Sequence, residues 1–349
     1  MKSALVSLDA LPRFDALIDA RSPAEFAEDH IPGAINLPVL DNDERARVGT
    51  LYVQESSFAA KKIGAALVAR NVADHLESHF IQQEKGYQPL VYCWRGGNRS
   101  GAMVTILRAV GWNAHQLEGG YKAFRKQVMS DLGTLPDALR FIVVCGTTGS
   151  GKSQFLRTLV QAGAQVLDLE ALAAHKGSLL GALPDTPQPN QKLFESRIWH
   201  ALRGFDPGRP IFVESESKKI GALHVPGRLI ERMRASECLR LETDPAVRIA
   251  LLKDEYTHFL ADPARLNRQL DLLIDLRGRA RIEHWKALAL AGDWDTLVEQ
   301  LLTEHYDPAY HRSLGSNYPQ AEQGPLLRLT AAEAPAMQAL ANEAIRLFR

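Results

Sequence analysis

The chain contains Arg140-Phe141-Ile142-Val143-Val144-Cys145-Gly146-Thr147-Thr148-Gly149-Ser150-Gly151-Lys152-Ser153, an apolar run that leads directly into a glycine-rich turn. From Gly146 onward the stretch matches G-x-x-x-x-G-K-[ST] at every position, and the periodicity after it predicts a helix from Ser153 to Gln161. When a strand, a glycine-rich turn and a helix follow one another in this way, the amides of the turn converge on phosphate oxygens. Lys152 adds a positive charge, and the N-terminal end of the helix adds the positive end of its dipole. The stretch predicts a parallel α/β domain that binds a diphosphate.

Acidic residues follow the next predicted strands of this domain. Strands are predicted at 166–169, 210–214 and 238–242. Glu214 stands where nucleotide hydrolases usually carry an aspartate. The sequence therefore does not decide whether the protein hydrolyses ATP or needs magnesium. Four acids are candidates for acid–base catalysis or ligation: Asp168, Glu170, Glu214 and Glu216. For Asp168 and Glu170, an ordinary strand-end acid or helix cap is an equal alternative.

A second anion-binding loop is predicted earlier in the chain, at Cys93-Trp94-Arg95-Gly96-Gly97-Asn98-Arg99-Ser100. Cys93 ends the predicted strand 89–93, where open α/β sheets place their ligands, and a helix is predicted from about Gly97 to Val110. Gly96 and Gly97 let amides curl around the sulfur, and Arg95, Arg99 and the helix dipole favour the thiolate. We therefore interpret Cys93 as a nucleophile or carrier rather than a buried cysteine, which requires its sulfur to be reachable.

Length and composition indicate two globular domains. At 349 residues the chain exceeds the roughly 250–300 residues at which one core stops growing. A glycine and a proline interrupt the pattern at 133–136, so we predict domains at 1–133 and 138–349, the latter helical from about 246. Three scattered cysteines and the lack of a long apolar segment predict a cytoplasmic protein without a disulfide framework, metal-binding cysteine pair or membrane span.

The chain has 41 Lys plus Arg and 41 Asp plus Glu residues, so its net charge does not indicate RNA binding. Only local clusters of basic residues could indicate it. From charge alone, RNA contact and an ordinary solvated surface are equally good interpretations. The candidate tRNA contacts are Lys218, Lys219, Arg277, Arg279 and Arg281.

The first 130 or so residues resemble the rhodanese family. Besides the cysteine loop, they carry that family's motifs in order: Ile18-Asp-Ala-Arg-Ser22, His30-Ile-Pro-Gly-Ala-Ile-Asn36, Gly111-Trp112 and Leu117-Glu-Gly-Gly120. The resemblance implies a parallel sheet with helices on both faces. Five residues separate Cys93 from Arg99, one more than in most sulfurtransferases of the family and the same as in Cdc25-type phosphatases. A wider loop suits a tetrahedral oxyanion, which we take to be selenophosphate.

The order of the two loops resembles the bacterial tRNA 2-selenouridine synthase family, over nearly the whole chain. Further matching motifs are Asp168-Leu-Glu170, His175-Lys-Gly-Ser178, Gln191-Lys-Leu-Phe-Glu195, Val213-Glu-Ser-Glu-Ser-Lys-Lys-Ile-Gly221 and His305-Tyr-Asp-Pro-Ala-Tyr310. Lys218 stands where an arginine is expected, which keeps the charge but loses a forked donor. The resemblance implies a fold of rhodanese-like domain followed by a P-loop NTPase-like α/β domain with a helical C-terminal extension.

That resemblance also implies a two-step transferase reaction. Wobble 2-thiouridine in tRNAs for lysine, glutamate and glutamine would first be S-geranylated by geranyl diphosphate held on the P-loop (Walker A) motif. Selenium from selenophosphate would then displace the alkylated sulfur, with Cys93 carrying selenium or assisting displacement. No tightly bound cofactor is implied.

Three other functions remain open at this stage. One is an ATP-dependent kinase or phosphotransferase with a regulatory rhodanese module, which would hydrolyse ATP. Glu214 counts against this function, because it stands where such enzymes usually have an aspartate. A Cdc25-like phosphatase would use the same Cys93–Arg99 spacing, yet Tyr92 replaces the histidine of tyrosine phosphatases. A sulfur-carrier or RNA-binding module would leave tRNA nucleosides unchanged.

Overall fold

The computed structural model describes residues 5–178 and 180–349. The first four residues of the predicted N-terminal domain lie outside this range. The described residues up to Asp131, together with Asn190–His200, form one compact unit, and the described residues of Leu132–Pro189 and Ala201–Arg349 form a second. The sequence analysis had left residues 190–200 within the second domain.

Unit 1 is a five-stranded, fully parallel sheet in the order β1-β5-β4-β2-β3. Its strands are β1 (Leu5–Val6), β2 (Ala16–Asp19), β3 (Ile35–Asn36), β4 (Pro89–Tyr92) and β5 (His115–Leu117). Its helices are α1 (Pro23–Glu28), α2 (Asn42–Gln54), α3 (Ser57–His75), α4 (Asn98–Val110) and α5 (Gly120–Leu132), with a 3-10 helix at Leu8–Arg13 and a π-helix at Leu76–Phe80.

The core of unit 1 explains why β4 is central. All four residues of β4 are buried, and Val91 packs with Ile18, Met103 and Leu107 from β2 and α4. An uninterrupted apolar run is what a strand covered on both faces requires. The thiol loop that follows β4 is therefore anchored at the middle of the sheet.

Unit 2 is built on a second parallel sheet, in the order β12-β11-β6-β8-β7. These strands are β6 (Phe141–Cys145), β7 (Gln165–Leu167), β8 (Ile211–Glu214), β11 (Glu237–Thr243) and β12 (Leu326–Leu329), while β9 (Lys219–Ile220) and β10 (Leu223–His224) form a small antiparallel hairpin. The helices of unit 2 next to these strands in sequence are α6 (Lys152–Gln161), α7 (Leu169–Ala173), α9 (Gly227–Arg234) and α17 (Ala334–Leu347). Helix α8 (Gln191–Gly204) belongs to unit 1 up to His200.

A helical region follows β11, as the sequence predicts from residue 246. It comprises α10 (Pro245–Glu255), α11 (Thr257–Ala261), α12 (Pro263–Leu270), α13 (Ile274–Arg277), α14 (Arg279–Ala291), α15 (Trp294–Gln300) and α16 (Asp307–Asn317), with a π-helix at Leu301–Tyr306 between the last two. Shorter 3-10 helices occupy Leu135–Ala138, Asp271–Leu273 and Pro319–Gln323. The region has an apolar core of its own around Trp285.

The predicted fold class is confirmed, and the tail adds to it. Residues past Asn317, which the sequence pattern left uninterpreted, supply the edge strand β12 and helix α17. Met337 and Ala341 of α17 pack with Phe155 and Leu159 of α6, the helix that follows the P-loop. Apolar side chains buried in this way each stabilise the fold by about 1.5–3 kcal/mol. The tail thus helps to fix the helix that follows the P-loop.

No helix in the described parts of the chain combines the length and hydropathy needed to cross a bilayer.

Candidate functional site

The thiol loop lies between β4 and α4, as the sequence predicts. Cys93 directly follows the last residue of β4, and α4 begins at Asn98. The N-terminal end of α4 carries unpaired backbone N–H groups and a partial positive charge, which favour an anion close to the loop.

The loop is held in place by the first turn of α5. The amide of Tyr121 donates to the Cys93 carbonyl at 2.8 Å, and the amide of Lys122 donates to the Trp94 carbonyl at 2.9 Å. Gly120 has a φ of +57°, and a Cβ there would lie 2.2 Å from the Cys93 oxygen. Only glycine allows this approach. Hydrogen bonds within the protein therefore hold the start of the loop in this conformation without a ligand.

The sulfur of Cys93 is enclosed. Cys93 is 3% exposed, so the reachable sulfur expected from the sequence is not present in this conformation. The Ser100 hydroxyl, itself buried, donates to the sulfur at 3.1 Å. Gln116 on β5 donates in turn to the Ser100 oxygen at 2.9 Å. This chain of hydrogen bonds holds the sulfur in place beside the start of α4.

The two loop arginines differ in their surroundings. Arg95 is exposed, whereas Arg99 donates to both carboxylate oxygens of Glu25, at 2.6 and 3.3 Å. Burial alone would raise the pKa of Glu25, but the hydrogen bond and charge of Arg99 hold it below its usual value. The sequence predicts that Arg99 binds an oxyanion at Cys93, whereas in the structure its guanidinium pairs with Glu25. An anion in the loop must share this arginine with that carboxylate.

Removing the Ser100 hydroxyl is expected to slow reactions of Cys93. A hydrogen bond to a charged group contributes about 1.5–3 kcal/mol, so alkylation of Cys93 by iodoacetamide near neutral pH should fall roughly tenfold in Ser100→Ala. Mass spectrometry of peptides would follow the rate, with Thr105→Ala on the exposed face of α4 as the control. Equal rates in Ser100→Ala and wild type would exclude this role for Ser100.

The P-loop of unit 2 is open towards a ligand. Among the hydrogen bonds of the described residues, none uses the amides of Gly149, Gly151, Lys152 or Ser153. Gly149 and Gly151 have φ values of +77° and +83°, which turn the chain into α6. The Lys152 ammonium donates back to the carbonyls of Gly146 and Thr147, at 2.5 and 3.1 Å. It would exchange these carbonyls for phosphate oxygens on binding.

An arginine that the sequence analysis did not single out supports this loop. Arg248 on α10 is buried and donates to the Thr148 carbonyl at 2.7 and 3.1 Å. The same guanidinium pairs with Asp307 at the start of α16. Because both contacts span more than 50 residues of sequence, no local pattern could have revealed them.

Three of the four predicted acids gather beside Lys152. The Ser153 hydroxyl donates to Glu170 at 3.0 Å, and the Glu170 amide donates to Glu214 at 2.8 Å. Burial is the main cause that raises the pKa of Glu170 to about 7 and those of Glu214 and Glu216 above their usual values, and neighbouring carboxylates add to the effect at Glu170 and Glu214. Asp168, by contrast, caps α7 by accepting from the Ala171 amide at 2.8 Å. This cap is the ordinary role that the sequence analysis allowed for it.

A polar cavity of about 460 Å³ joins these elements within unit 2. Its walls include the P-loop from Thr148 to Ser153, the acids Glu170 and Glu216, and residues of α10, the π-helix at Leu301–Tyr306 and α16. Burial lowers the pKa of Lys152, and the nearby Glu170 and Glu216 oppose that effect. The cavity therefore offers amide donors, a cation and carboxylates close to one another.

Comparison with known proteins gives a consistent result for both units. The family model described as the tRNA 2-selenouridine synthase AAA domain matches residues 139–271, and the rhodanese-like domain model matches residues 5–127. A protein named tRNA 2-selenouridine synthase from Sulfurovum sp. (strain NBC37-1) is 32% identical over 332 residues, which cover 86% of this chain and 89% of that protein. The chain belongs to the tRNA 2-selenouridine synthase family.

Other members of the tRNA 2-selenouridine synthase family match to different extents. The relative from Salmonella paratyphi A is 33% identical over 85% of this chain and 88% of its own. The relative from Nitrosomonas europaea is 35% identical over 69% of this chain, and the alignment spans 63% of that protein. The resemblance noted in the sequence is thereby confirmed.

In this member of the tRNA 2-selenouridine synthase family, Glu170 is expected to make stability depend on pH. Because the fold raises its pKa from about 4.5 to about 7, the folded state binds a proton that the unfolded state releases between those values. Stability is therefore full below pH 4.5 and falls as pH rises towards 7. Between pH 5 and 8 the wild type should lose on the order of 2 kcal/mol more than Glu170→Gln.

Thermal unfolding across that pH range would measure the difference. Glu299→Gln, at an exposed position of α15, is the matched control and should follow the wild-type curve. A Glu170→Gln variant with the same pH dependence as wild type would contradict the raised pKa.

The basic residues predicted from sequence lie in two places on unit 2 of this tRNA 2-selenouridine synthase family member. Lys218 and Lys219 are exposed at the β9–β10 hairpin. Arg277 donates to His305 at 3.1 Å and Arg281 pairs with Glu304 at 3.1 Å, whereas Arg279 is exposed. The two paired arginines thus help to position the π-helix at Leu301–Tyr306, which also lines the polar cavity.

Within residues 5–178 and 180–349, no cluster of three or more His, Cys, Asp or Glu side chains has an arrangement suited to a metal ion. The oxygen atoms of Ser153 and Glu170 are ligands that magnesium accepts, but they bond to each other. We assign no step to a metal.

Proposed function

We propose that the protein converts wobble 2-thiouridine of tRNA to 2-selenouridine, by S-geranylation with geranyl diphosphate and then selenation with selenophosphate. The family includes proteins named for the product, and each unit has one loop suited to an anion. The observation that carries the proposal is the set of backbone amides without a hydrogen bond at Gly149, Gly151, Lys152 and Ser153, which line a cavity of about 460 Å³.

The first step is assigned to unit 2. The thiocarbonyl sulfur of the base attacks C1 of geranyl diphosphate, the C1–O bond breaks, and pyrophosphate leaves while the base loses its N3 proton. Negative charge develops on the departing pyrophosphate, where Lys152 and the loop amides stabilise it. A carboxylate near neutrality, such as Glu170, is suited to accept the proton.

The second step is assigned to unit 1. Selenium from selenophosphate adds at C2 of the base, geranyl thiol leaves, and water takes the phosphoryl group as phosphate. Alkylation in the first step makes the sulfur a good leaving group. Cys93 assists this displacement, since selenium carried on its sulfur would need a two-electron oxidant, and Arg95, Gly96, Gly97 and Arg99 hold the oxyanion. Because Cys93 is 3% exposed, its 93–99 loop must open for selenophosphate to reach the sulfur.

The tRNA substrates proposed are those for lysine, glutamate and glutamine, in the cytoplasm. Exposed lysines 218 and 219 and Arg279 are suited to backbone phosphates. Such contacts would make tRNA binding weaken with rising salt.

The test is incubation of wild-type protein with thiolated tRNA, geranyl diphosphate and selenophosphate, followed by mass spectrometry of nucleosides. We expect S-geranyl-thiouridine with geranyl diphosphate alone and selenouridine with both reagents. Unchanged nucleosides would refute the proposal. Parallel reactions with ATP and an aryl phosphate would reveal a kinase or a phosphatase instead.

A further inference from the structure

A second cavity of unit 2, distinct in character, adjoins the polar one. It measures about 80 Å³, and its far wall, by which we mean the lining that the polar cavity does not share, includes apolar side chains from α11, α12, α15 and the π-helix. Phe259, Leu266, Trp294, Leu297 and Leu301 form that wall. We call this space the apolar chamber.

The two cavities share part of their lining. Thr148 of the P-loop, Leu252, Tyr256 and Tyr306 border both the polar cavity and the apolar chamber. A ligand with phosphates on the free amides of Gly149, Gly151, Lys152 and Ser153 therefore has the apolar chamber as its neighbour. An anion site next to a hydrocarbon surface matches the two parts of a diphosphate ester of an apolar alcohol.

The chemistry of the walls argues against a nucleotide base there. A buried adenine or guanine leaves polar edge atoms that need hydrogen-bond partners, and the cost of leaving them unpaired is high. The far wall offers hydrocarbon and aromatic carbon instead. Tyr256 and Phe259 stack in parallel at 5.8 Å between ring centres, which presents flat apolar surface.

The size of the apolar chamber sets a limit on the tail. A cavity of about 150 Å³ accommodates benzene, so about 80 Å³ is room for the end of a tail and not for a long one. The π-helix at Leu301–Tyr306 contributes Leu301 and Tyr306 to this region, and such irregular helical turns are common where helices shape a functional site.

We infer that the apolar chamber receives the distal end of the prenyl tail and limits the length of that tail, with Leu297 as a residue that determines chain length. The inference rests on the proposed S-geranylation and extends it to substrate selection. Phosphate binding is left to the P-loop, and the apolar chamber discriminates between tails.

The experiment compares rates of tRNA S-alkylation with dimethylallyl, geranyl and farnesyl diphosphates. Leu297 is 1% exposed, and Leu297→Ala enlarges the apolar chamber, so the kcat/KM ratio of farnesyl to geranyl diphosphate should rise tenfold or more. Leu297→Phe fills the space and should lower kcat/KM for geranyl diphosphate at least tenfold while dimethylallyl diphosphate is less affected.

Leu270→Ala is the matched control, since Leu270 is equally buried in the same apolar core but does not line the apolar chamber. It should lower the melting temperature without changing the ratio between tails. If Leu297→Ala does not fold, Trp294→Leu, at a half-buried position of the same wall, carries the same expectation.

The outcomes separate the two proposals. Wild-type protein that does not alkylate thiolated tRNA with any prenyl diphosphate overturns the proposed function and this inference together. Wild-type protein that geranylates tRNA, with the same tail preference in Leu297→Ala, Leu297→Phe and Leu270→Ala, overturns the role of the apolar chamber alone.

Discussion

Replacement of Cys93 by alanine is expected to abolish selenation while S-geranylation continues at close to the wild-type rate. The variant removes the nucleophilic sulfur, whose loss in covalent catalysis costs roughly 10³-fold or more. Unit 2 contains the P-loop and both cavities, so the first step retains its groups. Thiolated tRNA should accumulate as the S-geranyl form.

Mass spectrometry of nucleosides after reaction with both reagents would quantify each product. Cys238→Ala, which removes another buried thiol, serves as the control and should still form selenouridine. Selenouridine made by Cys93→Ala at the wild-type rate would exclude a role for this sulfur. So would a Cys93 that small alkylating reagents never modify, because the 93–99 loop would then not open.

The second large effect is expected at Lys152. Lys152→Ala leaves the amides of the P-loop but removes the cation that balances the leaving pyrophosphate, and loss of such a group lowers the rate roughly 10²- to 10³-fold. Its ammonium already contacts the carbonyls of Gly146 and Thr147, next to the free amides. Geranylation should fall by that factor, while tRNA that is already geranylated should still be selenated.

Single-turnover rates with geranyl diphosphate would test this expectation. Lys286→Ala is the control, because Lys286 pairs with Asp271 in the helical region and does not line either cavity. An unchanged rate of geranylation in Lys152→Ala would remove the P-loop from the first step.

The two loops could be predicted from sequence because each is a local pattern. An apolar run, a turn rich in glycine and a helix fix the backbone at 89–110 and at 140–161, and the structure has strand, loop and helix in both places. The alternation of strands and helices likewise predicted both parallel sheets.

Contacts between distant parts of the chain could not be predicted. Glu25 pairs with Arg99 across 74 residues of sequence, and Arg248 reaches Thr148 across 100. Gln116 and Ser100 join at Cys93 only because β5 pairs with β4. Local periodicity carries no information about such pairs, although they determine the electrostatics of each loop.

The packing of the C-terminal tail and of the helical region could not be predicted from the sequence either. The alanine-rich segment 334–347 gives a weak pattern, yet it forms α17 and packs on α6. The apolar chamber depends on residues from four helical segments between 257 and 306, none of which is distinctive alone. A pocket lined by apolar side chains is indistinguishable from core in the sequence.

The central claim is that one chain performs two successive steps, and a two-stage reaction tests it most directly. Thiolated tRNA is treated with Cys93→Ala protein and geranyl diphosphate, repurified, and then given Lys152→Ala protein with selenophosphate. We expect selenouridine from this order and none when the two variants are exchanged. Selenouridine in the exchanged order, or its absence in the first despite geranylated tRNA, would contradict the account.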